Sequence, residues 1–302
     1  MNLLFDYYIC NMSELTRLPG QQISFRDNAM DTTATEKFCL VAQCDRERFS
    51  LAVLDNLTND FLAFESWNYR KAVTQLQLSE QLDRMFTDHP WLLNGFKRVD
   101  VIITTEKFTL VPSSLFDSSS AREVLSFNVP LQDNQIVRTD ILRMADARMI
   151  YAIDPKLEKV LNRLAPSPRI RHHLTPLIEK ALSQSKNKNN KSIAVHIRQG
   201  QFDLIAVENG KLLLANVFEY HSPEDFIYYI LFAAEQLRLN PEEFELNISG
   251  EVEQDSALIK IAGKYVRNVI LAKRESGHRF AKGFDQFPEH FHFNLFALHF
   301  FA

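Results

Sequence analysis

Beyond Lys191 the hydrophobic and polar positions fall into a readable order. Ile193, Val195 and Ile197 alternate with Ala194, His196 and Arg198, and this period of two predicts a strand. A tight turn at Gln199-Gly200 follows, and then Phe202, Leu204 and Ala206 alternate with polar neighbours as a second strand. Asn209-Gly210 marks a hairpin, since both residue types accept a positive φ, and Lys211–Phe218 forms a third strand. Ser222-Pro223-Glu224-Asp225 opens a helix: the serine caps it, the proline suits its first turn and the acids favour its positive end. Phe226, Ile230, Ala233, Ala234 and Leu237 supply an apolar face, and Asn240-Pro241 stops the helix. A strand over Phe244–Ile248, ending at Ser249-Gly250, a short helix over Ala257–Ile261 and a last strand over Tyr265–Leu271 complete the order β-β-β-α-β-α-β.

The first half repeats that order. Strands are predicted over Phe38–Gln43, Phe49–Leu54 and Asp60–Trp67, a helix over Thr74–Thr87 and a further strand over Val99–Thr104. Matching elements lie about 150 residues apart, which points to a duplicated α/β fold with a cleft between its halves. Between the copies, Ile136–Met144 and Arg148–Asp154 read as a hairpin, and Pro155–Leu164 and Thr175–Leu182 as helices. The run Ser183–Ser192 has no apolar residue and is rich in Lys and Asn, so it reads as an exposed linker. The expected organisation is an N-terminal extension over 1–21, a first half over 22–184, a linker over 185–192 and a second half over 193–302.

Composition narrows the chemistry. With 302 residues and a net charge of -4, the chain has no general pull on nucleic acid or anionic lipid. Its 8 glycines offer neither a P-loop nor a G-x-G-x-x-G triple, which argues against a Walker ATPase, a dinucleotide-binding dehydrogenase and a typical kinase. Cys10, Cys39 and Cys44 form neither a disulfide framework nor a zinc set, and they read as ordinary thiols. No apolar run is long enough to span a bilayer and the first residues do not read as a signal peptide, so a cytoplasmic address is expected.

The duplicated β-β-β-α-β-α unit resembles the actin-like ATPase fold. More narrowly, the strand FSLAVLD (Phe49–Asp55), the spacing of the halves and the aromatic tail FHFNLF (Phe291–Phe296) make the chain similar to an uncharacterised bacterial domain family with that fold. The resemblance implies a cleft in which each half offers a hairpin to nucleotide phosphates through Asp-x-Gly, with ATP or ADP and Mg²⁺ as the ligand. Here the first hairpin has Asp45 but carries Glu47 in the glycine position, where a carboxylate repels phosphate. The second, Arg198-Gln199-Gly200-Gln201, keeps the glycine and lacks the acid. The adenosine-contact turn, Gly-Gly in such folds, is Ser249-Gly250 here. Asp45, Gln199, Gly200, Ser249 and Gly250 are therefore the candidate binding residues, with loops that argue against hydrolysis. The expected role is a non-catalytic scaffold or regulator that binds a protein partner; the alternative is an ATP-binding enzyme or conformational switch.

Other groups were weighed against plainer readings. Asp45, Glu80 and Asp100 fit a two-metal nuclease only if they converge. His290 and His292 read as polar positions rather than metal ligands, and Arg169–His173 as a solvated basic face. A third of the 24 phenylalanines lie beyond Arg279, and a short helix around Phe293–Phe300 is expected there. Those rings either pack back on the second half or present a surface to a partner or a second copy of the chain.

Overall fold

The computed structural model describes residues 22–69, 71–186, 191–274 and 276–301. The predicted N-terminal extension lies outside them, as do Cys10 and positions 187–190 of the predicted linker. In chain order the elements are β1 (Gln22–Arg26), β2 (Phe38–Cys44), β3 (Arg48–Asp55), β4 (Asp60–Asn68), α1 (Gln75–Asp88), β5 (Arg98–Ile103) and β6 (Phe108–Pro112). Then come α2 (Ala121–Asn128), β7 (Ile136–Leu142), β8 (Ala147–Ile153), α3 (Pro155–Leu161), β9 (Arg169–His172) and α4 (Leu174–Ser185). The second half has β10 (Lys191–Arg198), β11 (Gln201–Glu208), β12 (Lys211–Glu219), α5 (Pro223–Gln236), β13 (Glu245–Gly250), α6 (Ala257–Tyr265) and β14 (Asn268–Leu271). A short β15 (Arg279–Phe280) and α7 (Phe293–Phe301) close the chain.

The duplication is visible in the sheets. The first sheet runs β1-β4-β3-β2-β5-β9, with β15 also paired to β4, and the second runs β12-β11-β10-β13-β14. In each half the first three strands of the repeat form an antiparallel meander, and the next two add in parallel on its far side. A third sheet, β6-β8-β7, is inserted between β5 and β9, and α2 packs on it through Ala121 and Leu125.

Local chemistry explains the main elements. Thr74 and Gln77 form a reciprocal capping box on α1, which buries Leu78, Leu82 and Phe86. Ser222 and Asp225 do the same on α5, with Pro223 in its first turn. Asn209 (φ 51°) and Gly210 (φ 74°) make the β11–β12 turn with both residues left-handed. The exposed-linker reading holds less of the chain than expected: α4 runs to Ser185, which is buried, and β10 begins at Lys191.

The halves exchange helices. α4 follows the first sheet in sequence but packs chiefly on β11 and β12 of the second, touching β10 there and β7 and β9 of the first half. α7 follows the second sheet and packs on β2, β3 and β5 of the first, and the two helices touch each other. The aromatic tail is therefore core, and it belongs to the first half rather than the second. Phe284, Phe287, Phe291 and Phe296 are buried with Phe61 and Phe64. Ring pairs such as Phe61–Phe296, at 5.2 Å and 68°, take the edge-on geometry that aromatic quadrupoles favour. Arg274 lies over Phe280 and Phe287 and donates to the carbonyls of Phe284 and Phe287, pinning the turn that leads into α7.

Candidate functional site

The β2–β3 and β10–β11 turns face one another across the seam between the halves. Both are tight, one closed by Asp45 and Arg48 around Arg46-Glu47, the other by Arg198 and Gln201 around Gln199-Gly200. Asp45, Gln199 and Gly250 line a single cavity of about 30 Å³ between them, together with Arg48, Arg198 and Glu251. Gly200 sits at the tip of its turn with φ 71° and open space around its α-carbon, outside the cavity lining. Ser249 points away from the cavity: His196 Nδ1 lies 2.9 Å from its hydroxyl, which donates to the carbonyl of Val195 at 3.3 Å.

Gly250 is required by packing. Its φ is 95°, and a Cβ there would sit 2.1 Å from the carbonyl oxygen of Ile197 on the neighbouring strand. Its N–H donates to the carbonyl of His290 at 2.9 Å, and the Glu251 N–H to that of Ile197 at 3.3 Å. The Arg46 and Glu47 carbonyls accept from Val73 and Tyr69, each at 2.7 Å, so the first turn is held by the segment that follows β4.

Charge is arranged differently on the two sides. Asp45 is buried and accepts from Gln43 at 2.7 Å and from the Thr104 hydroxyl. Arg198 is nearly enclosed and donates to Asp203 through Nη2 at 2.7 Å and Nε at 3.3 Å. His173, fully buried, donates from Nε2 to the same carboxylate at 3.1 Å. Burial alone would raise the Asp203 pKa, but Arg198 and His173 overcome it and hold the carboxyl well below the usual carboxylate range. Burial pushes His196 down to about 4 and His292 well below its ordinary value, the latter helped by the nearby Arg48 charge. Glu47 is raised, first by burial and then by Asp45.

Ion pairs tie the seam. Arg48 on the first hairpin pairs with Glu251 just after β13, and His292 lies 3.5 Å from the same carboxylate. Glu106 accepts from Gln201 at 2.6 Å and pairs with Arg46 at 3.2 Å, joining the two hairpin bases. Pattern reading did not reach these partners; the only signal was the density of charge around each predicted turn.

Asp100 lies about 13 Å back along its strand from Thr104, ion-paired to Arg98 at 2.7 Å, and Glu80 is exposed on α1, so the nuclease carboxylates do not converge with Asp45. Among the described residues no group of three or more His, Cys, Asp or Glu is placed to hold a metal ion. The solvated basic face also fails at its end. His172 and His173 are fully buried, and His172 donates to the Thr105 carbonyl at 2.9 Å while accepting at Nδ1 from the Leu174 N–H. His290 donates to the Val252 carbonyl at 2.7 Å, as a structural polar position. Cys39 and Cys44 are buried free thiols.

Residues 27–269 match the family described as "Protein of unknown function (DUF3822)". The chain belongs to that family. No curated protein matches this sequence. A solved structure from Bacteroides thetaiotaomicron VPI-5482, described as a protein with actin-like ATPase fold and unknown function, is 29% identical. It superposes with a TM-score of 0.73 over 81% of this chain and 94% of its own. A chain of the PilM-PilN type IV pilus biogenesis complex shares the fold at 11% identity and a TM-score of 0.53, over 87% of this chain and 97% of that one. This DUF3822 protein thus has an actin-like ATPase fold, with the facing hairpins where the halves meet. No helix among its described residues is long and apolar enough to cross a membrane.

Proposed function

We propose that this DUF3822 protein is a non-catalytic scaffold or regulator that binds a protein partner and carries degenerate nucleotide-binding loops. The observation that carries this reading is the volume between the hairpins. At about 30 Å³ it holds roughly one water molecule, whereas sites for small molecules span about 300–1,000 Å³. The chemistry of the walls supports the same reading. Glu47 and Glu251 put carboxylates where phosphates would lie, and Arg48 is engaged by Glu251. The Gly250 and Glu251 amides, which would serve an anion, already donate to chain carbonyls. ATP or ADP with Mg²⁺ does not fit this set of groups. That a fold neighbour comes from a pilus biogenesis complex is in keeping with use of the fold for assembly.

Calorimetric titration with ATP and with ADP, each with Mg²⁺, tests the reading. No binding heat at millimolar nucleotide is expected. Micromolar binding would overturn it in favour of an ATP-binding enzyme or switch, in which Asp45→Ala should abolish turnover.

A further inference from the structure

The duplicated sheets differ at one edge. In each meander the third strand lies outermost, β4 in the first half and β12 in the second. The outer edge of β4 is taken: β1 pairs with residues 63–67 in antiparallel register, and β15 with Asp60 and Phe61. Residues 61–66 of β4 are buried. β12 has β11 as its one strand neighbour among the described residues. It runs for 9 residues, whereas β9 and β14, the far edges of the two sheets, have 4 each. Between Lys211 and Glu219 it carries neither charge nor proline, two devices that blunt an exposed edge. Residues 212–215, 217 and 218 are half-buried, where their counterparts in β4 are enclosed.

Register says which backbone groups that edge offers. The Tyr220 N–H donates to the Gly200 carbonyl at 3.0 Å, and the pairing continues through Phe218–Phe202, Asn216–Leu204 and Leu214–Ala206. Inward and outward groups alternate along an antiparallel strand, so the N–H and C=O of Ala215 and Val217 point away from β11. The register shift opposite Ala206 and Val207 falls near the Lys211 end and leaves 214–219 regular. A two-fold axis at Ala215 sets the strand antiparallel to a copy of itself. Lys211 of each copy then comes to the end that holds Glu219 of the other, and both side chains are exposed. Aromatic surface continues from the same edge onto α5. Phe218 stacks on Tyr229 at 5.0 Å, Tyr229 meets Tyr228 at 5.4 Å, and Tyr228 stacks on Phe232 at 6.0 Å. Tyr228 is 58% exposed and Phe232 45%, an apolar patch beside an unpaired edge. We propose that two copies of this chain associate edge to edge through β12, joining their five-stranded sheets into one continuous sheet. The second copy does for β12 what β1 does for β4 within the first half. The opposite charges at the two ends of the strand single out a second copy rather than an unrelated strand.

The test is sedimentation velocity of the full chain over a concentration series at low salt. A monomer–dimer equilibrium is expected. Lys211→Glu sets like charges together at both ends of the paired strands and should raise the dissociation constant about tenfold. Lys211→Glu combined with Glu219→Lys should restore it. Ala215→Pro removes an N–H that points away from β11, and should abolish the dimer in a chain of unchanged circular dichroism. A full chain that stays monomeric up to about 100 μM would overturn the proposal and leave the edge to a different strand. So would a dimer that responds to neither the charge reversal nor the proline. The charge variants change exposed side chains and keep the test open if the proline variant fails to fold. The outcome is independent of the nucleotide titration, since the hairpin cavity takes no part in the pairing.

Discussion

The two hairpins at the seam occupy equivalent places in equivalent sheets and are built from opposite charges. Where the first turn opens with Asp45, the second opens with Arg198. Where the first has Glu47, the second has Gly200 with φ 71°. One strand in, Gln43 pairs across to Ser50 in the first half, while His196 pairs across to Asp203 in the second. The first half meets its buried acid with neutral donors from Gln43 and Thr104, and the second meets its buried base with a full counter-charge. Duplicated folds preserve strand order because backbone pairing and apolar alternation enforce it. The turns bear no such constraint, and here they differ in charge and in where a glycine stands.

The asymmetry predicts unequal costs. Asp203→Asn leaves Arg198 buried without its counter-charge and should lower unfolding stability by about 3–5 kcal/mol in urea titration. Asp45→Asn removes a charge whose hydrogen-bond partners, Gln43 and Thr104, are neutral and which acts on Arg48 and Arg198 without a direct ion pair, and should cost about 1 kcal/mol in the same measurement. Equal losses would mean that the two sides are energetically alike despite their chemistry.

Acid should act next, through the second half. His196 is held neutral, with its pKa lowered by burial from 6.5 to about 4. Between those values the unfolded chain takes up the proton and the folded chain does not, so stability falls as pH drops from about 6.5 toward 4. The loss from this group is about 3 kcal/mol, and His172 and His292, also lowered by burial, act in the same direction. His196→Gln gives the second half the residue that the first has at Gln43. It should flatten part of the dependence in thermal unfolding followed across that range.

The smallest effects belong to the turn tips. Gly200→Ala meets open space but keeps φ 71°, and should cost about 1 kcal/mol. Glu47→Gly should change stability by less than that, since relief of a half-buried carboxylate beside Asp45 offsets the entropy of the new glycine. A loss at Glu47 larger than at Gly200 would show that the first turn depends on its carboxylate.

Both meanders, α1, α5 and the β7–β8 hairpin were legible because their apolar residues repeat at two or 3.6 positions and their ends carry Thr74, Ser222 or Asn209-Gly210. β1, β6, β9 and α2 were not. β9 reads as a charged tetrapeptide, yet Asp140 accepts its His172 N–H at 2.8 Å and lies 3.6 Å from Arg171, a partner that arrives from a separate sheet. Candidate residues at the hairpins were legible as turns. Their pairing to Glu251 and Glu106 was not, because those partners lie 203 and 95 residues away in sequence, and Asp203, only five residues from Arg198, gains His173 from 30 residues away.

By itself the sequence determined the repeated strand and helix order, and with it the fold, since backbone periodicity and local capping are short-range effects. It left open whether the eight phenylalanines near the C-terminus pack as core or present a surface to a partner. Where they go was decided only in three dimensions. α7 crosses to the first sheet as α4 crosses to the second, and at that crossing His173 meets Asp203 and Asn294, while His172 is enclosed by Thr105, Phe108 and Tyr151 of the first half. A hydrophobic residue carries no address, so which of two similar sheets it covers depends on chain connectivity and the shape of the surface left open.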